Sequence, residues 1–298
     1  MAEGYSDKNW DGRTDGTPWM QRNLIKVYRF IPLWLLYGIM ALVIPFYMLF
    51  DRRAYRASYS FYRNRIGRNP VYSFLSVYLA EYHLGQVVLD RFAMYSGKHF
   101  DITVEGMDRF LELAEGDGGF VQLSSHIGNY ELAGYSLISE RKKFYALVFS
   151  ETETVMKNRS KMFEKTNIEM IPVSNDMSHI FALNNALADG DIVSMAADRV
   201  FGSQKAVRCR FFGEDAAFPA GPFVLAAQRE APVLAVFVMK ESFRGYRIFV
   251  NRIDSAGMSG MKRQERVDAL ASEFASTLEK TVRRYPTQWY NFFDFWNQ

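Results

Sequence analysis

The sequence has few of the residues that build disulfides or metal centres. Its 298 residues include one cysteine, Cys209, so no disulfide can form within the chain. The four histidines, His83, His99, His126 and His179, do not fall into a cluster of histidine, cysteine and carboxylate residues with metal-ligand spacing. We therefore expect no structural or catalytic metal and no resident cofactor.

Two widespread catalytic signatures are also missing. The chain has no Gly-x-Ser-x-Gly motif, and Gly257-Met258-Ser259-Gly260 has the wrong spacing and no strand before it, which argues against a serine hydrolase. It has no Gly-x4-Gly-Lys-Ser/Thr loop either, which argues against a P-loop nucleotide-binding enzyme.

Apolar and aromatic residues, by contrast, are abundant. Hydrophobic residues make up 49% of the sequence and aromatic residues 16%, enough for one large core or two modest ones. The net charge is only +3, but arginines are concentrated directly after an apolar segment. They are Arg52, Arg53, Arg56, Arg63, Arg65 and Arg68. Their place beside a membrane-like segment favours anionic lipid headgroups over nucleic acid as their partner.

The N-terminal part of the sequence is divided between a polar tail and an apolar segment. Residues 1–23 are polar and lack the cleavage site of a signal peptide. Residues 24–50 are predicted to be a membrane anchor, because 31–50 carry no charge and a helix of that length is about 30 Å long. Pro32 and Pro45 leave a kinked or re-entrant anchor open, and a buried core helix is the alternative.

The flanking charges predict how this segment is oriented. Arg22, Lys26 and Arg29 precede the charge-free residues 31–50, and the more numerous arginines follow them, so the positive-inside rule places the bulk of the chain on the cytoplasmic face. Residues 51–100 read as amphipathic helices that lie on the membrane or cover the sheet.

From about residue 100 the pattern is that of alternating strands and helices. Apolar runs typical of strands lie at 119–124, 144–149, 168–173, 191–197 and 232–239, and helix-like segments lie at 129–140, 154–165, 176–188 and 221–229. This spacing is typical of repeated β-α-β units. It predicts an α/β domain over residues 101–298, with a mostly parallel sheet flanked by helices.

A histidine and a carboxylate stand between the first of these strands and the first helix. Four residues separate His126 from Glu131, so a loop histidine could face an acid in the first helical turn. A histidine titrates near neutrality and can take a proton from a hydroxyl, while a carboxylate on its other ring nitrogen fixes the tautomer. Alternatively, Glu131 is a favourable charge at a helix N-terminus and His126 an ordinary loop residue.

Together with other segments, this pair resembles the lysophospholipid acyltransferase superfamily, in particular its branch of bacterial lipid A late acyltransferases of the lauroyl and myristoyl type. Asp198-Arg199 falls where that branch has an aspartate at a strand end, and Pro286-x-Gln288 is similar to a motif near its C-terminus. A block of phenylalanine, glycine and proline also matches: Phe211-Phe212-Gly213, Phe218-Pro219-Ala220-Gly221-Pro222 and Ala231-Pro232-Val233.

The resemblance implies a membrane-bound O-acyltransferase of the bacterial inner membrane, with its catalytic domain on the cytoplasmic face. Its donor would be an acyl thioester on acyl carrier protein or coenzyme A, and its acceptor a hydroxyl of a lipid A-like or other membrane lipid. His126 would be the general base and Glu131 its orienting acid, with no covalent acyl-enzyme.

The same resemblance marks five candidate substrate-binding residues. They are Arg159, Asp198, Arg199, Pro219 and Gly221. The two arginines suit a phosphate or carboxylate, although each could equally be a solvated surface charge.

The C-terminal sequence departs from the lipid A enzymes, which end in a more basic tail. Residues 289–296 are mostly aromatic, which suits a membrane belt, an acyl-tunnel lid or plain core packing. The departure keeps a lysophospholipid, aminolipid or polyene-lipid acceptor open. Two other classes also stay open: a non-catalytic lipid carrier, and a hydrolase using Ser124 or Ser125 beside His126.

Overall fold

The computed structural model of the protein describes residues 28, 30–148, 167–174, 176, 178–200, 205–254, 256–258 and 260–297. Its first elements are helices: α1 Leu33–Phe50, α2 Arg52–Ser60 with a π-helical turn at Phe61–Arg65, and α3 Pro70–Tyr95. Two side chains set the starts of the later helices. Asp51 accepts the backbone N–H of Ala54 at 3.0 Å, and Asn69 accepts that of Tyr72 at 3.0 Å.

Helix α1 is long and apolar enough to cross a membrane. Its 18 residues have a mean hydropathy of 2.1, and only 17% of them are buried inside the protein. Pro45 lies inside the helix and Pro32 caps its start. The buried face packs on α3, and the opposite face exposes large apolar side chains, so α1 does not have the all-round burial of a core helix.

The rest of the described chain alternates between strands and helices. The strands are β1 Asp101–Glu105, β2 Phe120–Ser124, β3 Phe144–Val148, β4 Ile168–Pro172, β5 Ile192–Ala196, β6 Ala206–Phe211, β7 Glu214–Pro219, β8 Val233–Lys240 and β9 Gly245–Arg252. The helices are α4 Met107–Glu115, α5 Glu131–Ser136, α6 Ser178–Ala188, α7 Ala220–Arg229 and α8 Arg263–Arg284.

Seven strands form one mixed sheet in the order β1-β9-β8-β2-β5-β3-β4. All neighbours are parallel except β8 and β9, which are antiparallel, so the predicted mostly parallel α/β sheet is confirmed. Strands β6 and β7 form a separate antiparallel pair. In β6 the side chains of Val207, Cys209 and Phe211 are buried and the alternate ones exposed, as the period-2 pattern predicts.

Each predicted strand is present within one or two residues of its expected bounds, but other elements differ. Helix α5 has six residues where residues 129–140 were expected, because the Ser139 hydroxyl accepts the backbone N–H groups of Arg141 and Lys142 and forms a turn. Strands β1 and β9 and helices α4 and α8 were not predicted. The helix expected at 154–165 lies outside the described residues.

Candidate active site

The site forms where two neighbouring parallel strands end. Strand β2 pairs with β5 in the register Ser124 to Ala196. The residues that follow each strand therefore meet at one edge of the sheet, where α/β proteins usually bind their ligands. This places His126, after β2, beside Asp198, after β5.

Asp198 holds the loop after β2 through three hydrogen bonds. Its Oδ1 lies 2.8 Å from His126 Nδ1, and its Oδ2 accepts the backbone N–H of His126 and the hydroxyl of Ser125, each at 2.9 Å. The carboxylate is buried, whereas the side chain of His126 is 22% exposed. Among the described residues, none hydrogen-bonds His126 Nε2, so this nitrogen is able to accept a proton.

The charges around the pair favour an ionised aspartate and a neutral histidine. Burial by itself would raise the pKa of Asp198, but His126, its backbone N–H and Arg199 outweigh this and hold that pKa well below its usual range. Burial of the ring lowers the pKa of His126; Asp198 opposes this, and the charges of Arg199 and Arg91 add to it. A neutral imidazole that can accept a proton is the result.

The structure corrects the partner expected for His126. The carboxylate on Nδ1 is Asp198, from a different strand, and not Glu131. Glu131 begins α5 and forms a buried ion pair with Arg91 of α3, with Nη1 and Oε1 at 3.1 Å. The reason is geometric: β2 and β5 run side by side, which brings an acid 72 residues away in sequence to Nδ1.

Arg91 is a site residue that the sequence did not reveal. Its guanidinium lies over the Tyr130 ring at 5.3 Å, and its Nε is 3.5 Å from Asn129 Oδ1, in addition to the contact with Glu131. No spacing rule links a residue near the end of α3 with a loop after β2. Only the packing of α3 beside that loop brings them together.

The loop after His126 is fixed by backbone contacts on both sides. Gly128 adopts a positive φ of 56°, and a Cβ there would lie 1.8 Å from the Val238 carbonyl oxygen, so only glycine fits. Its N–H donates to the Gln288 carbonyl at 2.8 Å, the Asn129 N–H donates to Val238 at 2.8 Å, and the Tyr290 N–H donates to the His126 carbonyl at 2.9 Å. The loop is thus held between β8 and the C-terminal segment.

The Pro286-x-Gln288 motif acts as part of this support. The Gln288 side chain accepts the N–H of Lys240 at 2.9 Å and donates to its carbonyl at 2.8 Å, so it pairs with the end of β8 as a backbone would. Tyr62 and His83 hold the same turn through the Pro286 carbonyl and Thr287. The motif therefore helps to position the loop that follows His126.

Arg199 supports the C-terminal segment in this structure. Its Nη2 donates to the Tyr290 carbonyl at 2.6 Å, and its guanidinium lies 5.5 Å from the Phe293 ring centre. The aromatic tail packs largely as core: Trp289 and Phe295 are buried and contact Phe211. Of the membrane belt, the acyl-tunnel lid and core packing, these two buried rings show core packing.

The other predicted site residues are placed less centrally. Pro219 ends β7 and caps α7, and Gly221 lies in the first turn of α7 with open space at its Cβ position. None of the hydrogen bonds of the described residues joins either of them to His126. Arg159 lies outside the described residues.

Ser124 and Ser125 were the two serines that the sequence left open as nucleophiles. The hydroxyl of Ser124 donates to the Met195 carbonyl at 3.5 Å and not to His126. Ser125 donates to Asp198 and not to His126, unlike the nucleophile of a serine hydrolase. Cys209 is buried in β6, and burial raises the pKa of its thiol to about 11. Among the described residues, no group of three or more histidine, cysteine and acidic side chains could hold a metal ion.

Comparison with known proteins defines the class. Residues 91–298 match the sequence profile of the family described as bacterial lipid A biosynthesis acyltransferase. Since the match covers more than half of the chain, the protein belongs to that family, and the family expected from its motifs is confirmed.

Two individual proteins are similar to parts of this one. Phosphatidylinositol mannoside acyltransferase of Mycolicibacterium smegmatis is 23% identical over 197 residues, which are 65% of this chain and 61% of that protein. The chain thus spans less than two thirds of that relative's length. The solved structure of the 1-acyl-sn-glycerophosphate (LPA) acyltransferase PlsC from Thermotoga maritima covers 86% of this chain and 98% of its own, at 11% identity. The TM-score of the two structures is 0.40.

Proposed function

We propose that the protein is a membrane-bound acyltransferase that moves a fatty acyl chain from an acyl thioester to a hydroxyl of a membrane lipid. The observation that carries this proposal is the contact between His126 Nδ1 and the buried Asp198 carboxylate at 2.8 Å, which leaves the partly exposed Nε2 to act as a base. Membership of the acyltransferase family supports the reaction, and the apolar helix α1 supports a place at the membrane.

The proposed reaction needs no covalent enzyme intermediate. His126 Nε2 takes the proton of the acceptor hydroxyl while that oxygen attacks the thioester carbonyl carbon, which forms the C–O bond and a tetrahedral oxyanion. When the oxyanion collapses, the C–S bond breaks and His126 returns the proton to the leaving thiolate. Asp198 stays ionised and stabilises the imidazolium that exists between these steps.

Stabilisation of the oxyanion is assigned to side-chain charge. The backbone N–H groups of His126, Gly128 and Asn129 already donate within the protein, which removes them as oxyanion donors. The guanidinium groups of Arg91 and Arg199 lower the pKa of His126 by their charge. The same positive field favours a developing negative charge next to the ring.

The names of the family and of the relative support the proposed substrates. The family description refers to lipid A biosynthesis, and the relative's name refers to phosphatidylinositol mannoside. We propose a lipid A-like or other phosphate-bearing membrane lipid as acceptor, and acyl carrier protein or coenzyme A as donor carrier. The proposed location is the bacterial inner membrane, with the sheet on the cytoplasmic side.

The test is acyl transfer by the full-length protein and its His126→Ala variant. With labelled acyl thioester and extracted host lipids, the variant should lose about 10²- to 10⁴-fold in rate, the range that a general base supplies. His99→Ala is the matched control, because His99 is exposed and lies outside the site. A His126→Ala protein that keeps more than about a tenth of the rate would overturn the proposal.

Mass spectrometry of the host lipids would name the acceptor. A lipid class that loses one acyl chain when the gene is removed identifies the natural substrate. Transfer by the His126→Ala protein at the wild-type rate would instead point to chemistry elsewhere, and lipid binding without any transfer by the wild type would favour the non-catalytic carrier.

A further inference from the structure

A cavity lies away from His126 and Asp198, between the start of α2 and the C-terminal segment. It is open to solvent and has a volume of about 500 Å³. It is lined on one side by α2 and the following π-helical turn, and on the other by Asn291 and residues 293–296. Its walls combine arginine side chains with the aromatic rings of Phe61, Phe293 and Trp296. The cavity is thus cationic on one side and apolar on the other.

Three of the arginines are available to a ligand. Arg52, Arg53 and Arg56 are exposed, and among the described residues no carboxylate forms an ion pair with any of them. Arg65 differs, since it is paired with Glu214 and its guanidinium lies 4.5 Å from the Trp296 ring centre. Its charge is already balanced, and its role in the wall is structural.

The charge balance of the lining is positive. Its one carboxylate, Asp294, accepts a hydrogen bond from the Asn297 side chain at 2.7 Å. The lining therefore contains three unpaired guanidinium groups and one carboxylate. Arginine forks match the oxygens of a phosphate group, with two parallel N–H donors for each contact. A phosphate alone would fill little of 500 Å³, so the aromatic side of the cavity fits an apolar portion of the same ligand.

The position of the cavity indicates where such a ligand comes from. A single residue, Asp51, separates the end of the apolar helix α1 from Arg52. If α1 lies in the bilayer, the cavity lies at the level of the lipid headgroups, where each arginine adds to the attraction for anionic lipid. A molecule with a phosphate and an apolar part at that level is a membrane phospholipid.

We propose that this cavity binds the headgroup of an anionic phospholipid, with Arg52, Arg53 and Arg56 on its phosphate and the aromatic wall against its glycerol and first acyl carbons. The proposal goes beyond acyl transfer, because none of these residues belongs to the His126 site. Phe293 links the two regions, since it lines the cavity and packs on Arg199. Lipid in the cavity would steady the segment that supports the catalytic loop.

The binding test uses the full-length protein in a zwitterionic detergent with three probes: dihexanoyl phosphatidylglycerol, dihexanoyl phosphatidylcholine and inorganic phosphate. Calorimetry should show tighter binding of phosphatidylglycerol than of either other probe. Changing Arg52, Arg53 and Arg56 together to glutamine should weaken it by a factor on the order of 10². Equal affinity for all three probes, or tighter binding of inorganic phosphate, would overturn the lipid assignment.

Two further variants separate a built site from general charge. Changing the exposed Arg141, Arg229 and Arg263 to glutamine removes the same charge elsewhere and should alter affinity by less than about threefold. Ala57→Phe fills the cavity without changing charge and should also abolish binding. An equal loss in the control triple variant, or full binding by Ala57→Phe, would refute the cavity as the site. Each outcome is read without acyl transfer, so it is independent of the proposed function.

Discussion

At the scale of single residues, the site is defined by how the two ring nitrogens of His126 differ. Nδ1 is committed to Asp198, and Nε2 has no partner among the described residues. A ring held in this way has one tautomer when neutral, with the proton on Nδ1 and the lone pair on Nε2. Such a histidine accepts protons at one atom only, which is what a positioned general base requires.

Asp198→Asn should change both the rate and its pH dependence. In the proposed mechanism the base is a neutral His126, so the rate should fall as pH drops through the His126 pKa, which lies below the ordinary value. The carboxylate of Asp198 raises that pKa, and an amide does not, so the acid limb of kcat/KM should move to lower pH. The plateau rate should fall by about 10²-fold or more, because the imidazolium loses its counter-charge.

Ser125→Ala is the control for this prediction. It removes one donor to Asp198 but leaves the contact with His126 Nδ1 in place, so the pH profile should stay nearly unchanged. An acid limb that moves upward in Asp198→Asn would show that the aspartate does not raise the His126 pKa. A Ser125→Ala protein without activity would revive the serine hydrolase.

At the scale of elements, helix α3 joins the apolar helix to the sheet through one buried acid. Asp90 is fully buried and accepts hydrogen bonds from Tyr37 of α1, Tyr246 of β9 and Lys240 Nζ of β8, the last at 2.7 Å. The next residue is Arg91, which contacts Glu131. The cluster around Asp90 therefore sets the position of α3 and, through it, of Arg91.

Lys240→Met should be strongly destabilising, because it leaves Asp90 buried without its cation. Loss of one partner of a buried pair costs about 3 to 5 kcal/mol in unfolding free energy, measured by chemical denaturation of the purified protein in detergent. The double variant Asp90→Leu with Lys240→Met should recover most of that loss. As a matched control, Arg141→Met breaks the exposed pair with Asp117 and should leave stability nearly unchanged. A Lys240→Met effect as small as that of the control would mean that the buried pair does not hold α3.

Helix α8 and strand β9 have the periodicity of a helix and of a strand in their sequences. The buried residues of α8, from Val267 to Val282, recur at helical spacing. In β9, Tyr246, Ile248 and Val250 alternate with less buried neighbours. Local patterns of this kind can be predicted because they depend on one periodicity, while the short α5 depends on a single turn-forming hydroxyl.

At the scale of the whole molecule, the apolar side chains divide between a core and an outer face of α1. The core clusters cover both faces of the sheet. On α1, the side chains of Leu42, Phe46 and Leu49 are 74%, 61% and 70% exposed. Apolar groups with this exposure are stabilised by contact with lipid.

Changing Leu42, Phe46 and Leu49 together to glutamine should move the protein from the membrane pellet largely into the supernatant, because polar groups are costly in a bilayer. Fractionation with a carbonate wash measures this. The control changes Leu111, Ile138 and Phe181, which are exposed elsewhere, to glutamine and should leave the protein in the pellet. Membrane retention of the α1 variant would point to the arginine-rich α2 and to α3 as the attachment, and a soluble wild type would refute the anchor.

The sequence alone determined five strands of the sheet and the family, since both depend on local patterns. Five predicted strands, the loop position of His126 and the motif of Pro286 and Gln288 all rest on periodicity or short spacing. Backbone geometry imposes these patterns on any chain, and they need no knowledge of distant contacts.

Only the tertiary structure decided which groups meet. The sheet order places β5, and not the next strand β3, beside β2, and this brings Asp198 to His126 and leaves Glu131 to Arg91. Likewise, the arginines after α1 line a cavity only because the C-terminal segment packs against α2. Partners of this kind are set by burial of the whole core, which sums contacts over distant parts of the chain and leaves no trace in the spacing of neighbouring residues.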